Sequence, residues 1–171
     1  MKRAILAGIV AACIAATSVC AADLKLGYID MQRALNGSDA GKEAKEMLAA
    51  KVKKYQDEIN VKQEDLKKLK DELEKQGMLL SDSARATKEK DYQNKLKEFQ
   101  RFTKDAQDEL QGKDEEFTRK ILEGMEKVIK EYGRQNGYSF IFVKDERMLF
   151  ADEKIDLTDE VLKQFNANRK K

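Results

Sequence analysis

From about Ser38 to Gly133 the chain carries a thin apolar line through dense lysine, arginine, glutamate and aspartate. It holds no proline there or anywhere else. Proline removes a helical hydrogen bond and collides with the preceding turn, so its absence leaves very long helices available. In the first half the line runs Leu48, Val52, Tyr55, Ile59, Leu66, Leu69 and Leu73, with Lys62 filling the one gap. Steps of four and three repeat every seven residues, which asks for a left-handed supercoil with a partner helix. The second half continues with Tyr92, Leu96, Phe99, Ala106, Leu110 and Phe117, with Thr103 and Lys113 in the gaps. Ile121 and Met125 follow at steps of four, and Val128 and Tyr132 restore the pattern. Between the halves lies Gly77-Met78-Leu79-Leu80-Ser81-Asp82-Ser83. Gly77 can stop a helix, and Ser81, Asp82 or Ser83 can cap the next. So short a loop forces the second helix to return antiparallel beside the first. With the turn near residue 80, facing residues sum to about 160, which sets Tyr55 near Ala106, Val52 near Leu110 and Ile59 near Phe102. Gly133 is the expected end of the second helix.

The first 22 residues read as a secretory signal peptide. Met1-Lys2-Arg3 is a short basic start, Ala4 to Val19 is apolar, and Cys20-Ala21-Ala22 offers small residues for cleavage before Asp23. Val10-Ala11-Ala12-Cys13 resembles a lipid-attachment box, but its use would strand apolar residues 14–22 on the mature chain. Cleavage removes both cysteines, Cys13 and Cys20, and two basic residues, Lys2 and Arg3, leaving acidic and basic side chains equal in number. An exported chain without cysteine has no disulfide staple and must be held by packing or by oligomerisation. With 39% charged residues in helical periodicity, long helices are expected rather than disorder.

Strand-like segments flank the helices. Leu24 to Asp30 alternates, with Leu24, Leu26 and Tyr28 on one face. Met31 to Leu35 suits a brief helical turn, Asn36-Gly37 a break, and Ser38 an N-cap. Gly137 to Val143 and Arg147 to Ala151, joined at Lys144-Asp145-Glu146, suit a β-hairpin. Asp156 to Leu162 starts a helix for which Thr158 is the expected cap, and Asn166 to Lys171 is expected to fray. The expected fold is α+β. Residues 23–37 and 134–171 make a small β-body with a short C-terminal helix, and residues 38–133 make a coiled-coil hairpin with its tip near 77–83. Three strands per chain are too few for a stable sheet, so the sheet should be completed between subunits. Leu24, Leu26, Tyr28, Phe140, Ile141, Phe142 and Val143 are the candidate oligomerisation residues.

No catalytic constellation is visible. The chain has no histidine, no glycine-rich phosphate loop and no hydroxyl with an evident base, so no enzyme, metal or cofactor is expected. Carboxylate pairs such as Asp71/Glu72 and Glu115/Glu116 suit a solvated helix face. The charge is nevertheless polarised. Residues 67–104 hold 11 basic side chains against seven acidic, and residues 105–131 five against nine. Either this is chance in a charge-rich helix, or the basic far end attracts acidic clients or an acidic lipid surface. Met78-Leu79-Leu80 at the tip either plugs the coil or forms an adaptable apolar contact. Met78, Leu79, Leu80, Lys75, Arg85 and Lys88 are accordingly the candidate client contacts. Nucleic acid is an unsuitable partner for a neutral, exported chain.

The chain resembles the Skp (OmpH-like) family of periplasmic chaperones from about Leu24 to Phe165. The resemblance is carried by Gly27-Tyr28-Ile29-Asp30-Met31-Gln32-Arg33, the proline-free charged hairpin, Gly137-Tyr138-Ser139-Phe140-Ile141-Phe142 and Asp156-Leu157-Thr158-Asp159-Glu160-Val161-Leu162. It implies a homotrimer in which strands from three chains share a β-body and three hairpins enclose a cavity. It further implies an ATP-independent periplasmic holdase that keeps unfolded outer-membrane β-barrel proteins from aggregating before membrane insertion. Known relatives are strongly basic, whereas this mature chain is neutral, so no lipopolysaccharide-binding residues are carried over. The competing expectation is a structural spacer or scaffold of the cell envelope, which would favour an uninterrupted seam; Lys62, Thr103 and Lys113 interrupt this one.

Overall fold

The structure is a computed structural model that describes residues 24–76 and 80–169. Strand β1 (Leu26–Ile29) leads into helix α1 (Met31–Gly37), and two long helices follow, α2 (Asp39–Gln76) and α3 (Asp82–Gln135). Strand β2 (Phe140–Val143), a 3₁₀ turn at Glu153–Ile155 and helix α4 (Thr158–Arg169) complete the order. At about 1.5 Å per residue, α2 is roughly 57 Å long and α3 roughly 81 Å.

Residue chemistry explains the helix boundaries. Asp30 caps α1 by accepting the Arg33 amide at 2.9 Å, extending the expected brief turn to seven residues. Buried Ser38 accepts the Gly41 amide at 2.9 Å and opens α2. Ser81 accepts the Ala84 amide at 3.3 Å and opens α3. Gly133 does not end α3. It lies buried inside the helix with Ile141 Cδ1 3.1 Å from where a Cβ would stand, and the helix runs on to Gln135. The left-handed backbone falls at Gly137 instead, with φ +69°. The cap of α4 also differs from expectation. Asp156 Oδ1 accepts both the Thr158 amide at 2.8 Å and the Thr158 hydroxyl at 2.5 Å, while that hydroxyl's oxygen accepts the Asp30 amide at 3.0 Å. Nor does the C-terminus fray from Asn166. Asn166 Oδ1 accepts the Asp39 amide at 3.1 Å, capping α2 from a distant part of the chain, and Arg169 pairs with Glu43 at 2.9 Å.

The outer two-thirds of α3 pairs with α2. Tyr55 and Phe102 meet edge-on with ring centroids 5.9 Å apart. Lys51 with Glu109, and Lys88 with Glu72 at 2.7 Å, are cross-helix ion pairs whose numbers sum to 160. Leu48, Tyr55, Ile59, Leu66, Leu69 and Leu73 are half-buried along the seam. Val52 is half exposed, a correction to its seam assignment, because Tyr55 turns across the interface toward Phe102 and Glu109.

The inner third of α3 does different work. Ile121, Met125 and Val128 are buried with Ile29, Ala34, Leu157, Val161 and Phe165 in the core where all the short elements meet. β1 and β2 pair in parallel, with Leu26 opposite Phe140 and Ile29 opposite Val143. Parallel pairing suits strands separated by so long a crossover. Gly27, Ile29 and Ile141 face this core, with Leu157 so close to Gly27 that a Cβ there would stand 2.3 Å from Leu157 Cδ1. The β1 strand is shorter than expected, and the return strand at Arg147 to Ala151 is absent from the chain. Asp145 does make the expected turn, its carbonyl accepting the Met148 amide at 3.0 Å, but the segment beyond it pairs with nothing.

The corner between α1 and α2 is tight enough to require glycine. A Cβ on Gly41 would stand 2.0 Å from the Leu35 carbonyl oxygen, a backbone atom that cannot move without α1. Gly41→Ala is therefore expected to cost about 2–3 kcal/mol, measured by urea unfolding followed by far-UV circular dichroism. A loss within about 0.5 kcal/mol, as at an ordinary surface site, would contradict this account of the corner.

Candidate functional site

Among the described residues, three surfaces outside the core stand out. The first is the outer face of the strand pair. Side chains alternate along a strand, so Leu26, Tyr28, Phe140 and Phe142 share the face opposite the core. The Phe140 and Phe142 rings stack at 6.0 Å and stay half exposed, and Leu24 just before the strand is more exposed still. Tyr28 is buried within its own chain beside Asp156 and Arg33. Ile141 is half-buried against Gly133. Of the seven sequence candidates for oligomerisation, Leu24, Leu26, Phe140, Phe142 and Val143 thus present apolar surface, whereas Tyr28 and Ile141 spend theirs inside.

The second surface is a groove of about 880 Å³ between the inner part of α3 and β2. Leu122 and Ile129 from α3, Met31, and Ile141 and Val143 from β2 make its apolar floor, with Arg119, Glu123 and Lys130 among its polar lining. Sequence reasoning missed it. The hint was available, since Leu122 and Ile129 lie seven residues apart and off the seam shared with α2.

The third surface is the arm itself. Its inner half is tied by Glu109, which accepts from both Lys51 and Tyr55 of α2. Those two hydrogen bonds hold the Glu109 carboxyl below its ordinary range and raise the Tyr55 phenol. Near by, Glu116 lies between Lys113 at 2.7 Å and Lys120 at 2.6 Å, and is pulled from 4.5 to about 2. Farther out, the seam has the polar gaps seen in the sequence. Lys62 lies 5.0 Å from the centroid of the Phe102 ring, and the Thr103 hydroxyl donates to its own helix at the Phe99 carbonyl, 2.9 Å. At the far end Lys75 is exposed, Arg85 pairs with Glu89 at 2.9 Å, Lys88 pairs with Glu72, and Leu80 is half-buried. Met78 and Leu79 lie outside the described residues. Among the described residues, Lys75 is the one of the three tip cations that makes no ion pair.

A polar junction joins the two chain ends, and sequence reasoning read it only as a cap. Asp156 takes the Arg33 guanidinium at 2.9 Å and the Thr158 amide at 2.8 Å. Burial works against the Asp156 charge, yet the hydrogen bonds from Thr158 and the charge of Arg33 keep its carboxyl below the ordinary value. Lys144 adds a looser pairing with Asp30 at 3.7 Å. Among the described residues no group of three or more carboxylates is placed to hold a metal ion, and no helix is long and apolar enough to cross a membrane.

The described residues form a small strand pair that carries a long charged hairpin and exposes apolar faces at its root. The chain belongs to the OmpH-like outer membrane protein family, which it matches over residues 25–165. It is similar to a Skp-like protein of Pseudomonas aeruginosa, 26% identical across 94% of this chain and 95% of that one. A protein of Aquifex aeolicus with no described function is 27% identical across 84% of this chain and 86% of its own. Among solved structures, a candidate outer membrane chaperone (OmpH-like) from Caulobacter crescentus shares the fold. Its TM-score is 0.77 at 17% identity, over 84% of each chain.

The carboxylate clips carry a pH prediction. A carboxyl whose pKa is lowered by folding stabilises the fold above its unfolded value and loses that contribution as pH falls through its folded value. For Glu116 the window runs from 4.5 down to about 2. A carboxyl-carbon NMR titration should place its midpoint near 2 and move it back toward 4.5 in Lys113→Gln/Lys120→Gln. An unchanged midpoint in that variant would refute the assignment of cause.

Proposed function

We propose that this protein is an ATP-independent holdase chaperone of the periplasm, exported by a cleaved signal peptide at residues 1–22. It binds unfolded outer-membrane β-barrel proteins and keeps them from aggregating before insertion. The observation that carries the reading is family membership over residues 25–165, with a fold neighbour described as a candidate outer membrane chaperone. The physical layout agrees with it. Reversible binding of an unfolded chain lowers the concentration of aggregating species without any bond being made, and an extended arm supplies surface without requiring a pocket. The half-exposed Phe140, Phe142 and Val143 fit a strand pair that is completed by other copies, since two four-residue strands make a marginal sheet alone. We read the working form as a homotrimer whose three arms enclose a cavity. The basic far half of each arm then meets acidic segments of a client or an acidic lipid surface, with Lys75, Arg85, Lys88 and the Met78-Leu79-Leu80 tip as the contact region.

Two measurements test this. Light scattering of the mature chain at micromolar concentration should give the mass of three copies; a monomer would sink the shared-sheet assembly. Dilution of a denatured outer-membrane barrel protein into buffer should give much less turbidity with about a threefold molar excess of the chaperone present. Equal turbidity with and without it would reject the holdase reading whatever the oligomeric state.

A further inference from the structure

The pair Asn–Gly occurs twice in the chain, at Asn36-Gly37 and at Asn136-Gly137. It matters chemically because glycine has no Cβ to keep the asparagine side chain away from the next peptide nitrogen. The two settings differ. Asn36 and Gly37 lie inside α1, where the Ser38 amide closes the last turn on the Ala34 carbonyl at 3.0 Å. A Cβ on Gly37 would stand 3.1 Å from Leu162 Cδ2, so that turn is packed. Asn136 and Gly137 lie just past the end of α3, and both are exposed. Gly137 has φ +69°, and among the described residues no atom comes within 4 Å of where its Cβ would stand. Its amide makes only a long hydrogen bond, to the Arg134 carbonyl at 3.4 Å. The carbonyl of the same peptide unit is engaged more closely. Lys25 Nζ donates to the Asn136 oxygen at 2.9 Å, and it lies 4.2 Å from the centroid of the Tyr138 ring.

We propose that Asn136 is a site of spontaneous deamidation, promoted by Lys25 at the Asn136–Gly137 peptide. In the first step hydroxide takes the Gly137 amide proton, the nitrogen attacks Asn136 Cγ, and the Cγ–Nδ2 bond breaks. The leaving nitrogen takes a proton from water and departs as ammonia, which regenerates the hydroxide and leaves a cyclic succinimide. Water then opens the ring. Attack at Cγ gives aspartate on the ordinary backbone, and attack at the main-chain carbonyl gives isoaspartate, with the chain rerouted through the side chain. No carbon is oxidised or reduced. Removing the amide proton spreads negative charge over the nitrogen and, by resonance, the Asn136 carbonyl oxygen. That oxygen is the atom to which Lys25 already donates, so the ammonium stabilises the anion more than the neutral peptide. Ring closure turns Asn136 away from its ψ of 6° and frees its Nδ2 from the Tyr132 carbonyl, 2.8 Å away. Helix ends open locally at little cost, and the long Gly137 hydrogen bond yields first. The product alters a strict connection. Residues 136–139 are all that joins α3 to β2, and the Ser139 amide is fixed on the Lys25 carbonyl at 2.8 Å. Isoaspartate lengthens this connection by a methylene, and either product sets a carboxylate at the C-terminus of α3, where the helix dipole disfavours it.

The test incubates the full chain in neutral buffer and follows both asparagines by mass-spectrometric peptide mapping, with chromatography separating aspartate from isoaspartate. Asn136 should convert faster than Asn36 and give both products. Lys25→Met should slow conversion at Asn136 by about threefold or more, as for loss of an exposed charge-assisted hydrogen bond, and leave Asn36 unchanged. Lys25→Arg keeps a cationic donor and should stay within about twofold of the wild type. In urea, where the contact is gone, wild type and Lys25→Met should convert Asn136 at one rate. Conversion at Asn136 no faster than at Asn36 would overturn the site. Aspartate without isoaspartate would mean direct hydrolysis of the side chain and would overturn the succinimide route. An unchanged or faster rate in Lys25→Met would overturn the role of Lys25, since the contact would then be idle or protective. A Lys25→Arg rate as slow as that of Lys25→Met would place the effect in packing on Tyr138, and a rate difference that persists in urea would place it in the sequence alone. Either would likewise overturn that role.

Discussion

The packing of the inner third of α3 is the constraint on which the rest of the molecule depends. Along most of its length this helix has a single neighbour, α2, and a seam whose residues are at best half-buried apart from Ala106. Only from Ile121 to Val128 does it sink large apolar side chains fully, against Ile29, Ala34, Val161 and Phe165. Isolated helices gain little from propensity and draw their stability from tertiary burial. The arm is therefore anchored at its root and held more loosely beyond it, by edge-on rings, ion pairs and a lysine over a phenylalanine.

That root exists only because the two chain ends meet around it. Asp30 caps α1, and its amide donates to Thr158; Asp156 takes Arg33; Asn166 caps α2 across more than a hundred residues of sequence. The backbone amides of Arg33 and Asp39 at helix starts are satisfied in this way, and Asp156 with Arg33 adds an ion pair between the two chain ends. The hairpin can form from local contacts, whereas the strand pair and α4 must wait until the arm has brought both ends together. Folding order and architecture share this cause.

Much of the arm was legible in the sequence, because heptad spacing and the absence of proline are local signals with few physical solutions. Predicted facing numbers sum to about 160, and the pairs Lys51–Glu109 and Lys88–Glu72 obey that sum. The misreadings share a different origin. Gly133 looked like a stop, but its bare Cα lets Ile141 approach within the helix. Thr158 looked like a cap, but Asp156 takes that place, and the Thr158 hydroxyl donates to Asp156 while accepting the Asp30 amide. The Asn166 tail looked frayed because nothing local reveals that an amide of Asp39 awaits it. In each case a partner from the far end of the chain overrode a local preference. Of the candidate site, the exposed aromatic pair Phe140/Phe142 was legible from β-composition, whereas the groove along α3 was not. Leu122 belongs to neither the α2 seam nor the core, and Ile129 only packs against the core's edge.

By itself, then, the sequence determined that two long helices must fold back on each other near residue 80, and most of the residues that line their seam, Val52 excepted. Period and turn chemistry act over a few residues and leave the chain no other compact arrangement for such a pattern. Tertiary structure alone decided that the short strands pair in parallel with each other, that α4 closes over the root, and that Leu149 and Phe150 remain outside while a groove opens beside β2. Those outcomes turn on which distant surfaces meet first and bury most, a comparison among whole-chain arrangements that no local pattern encodes.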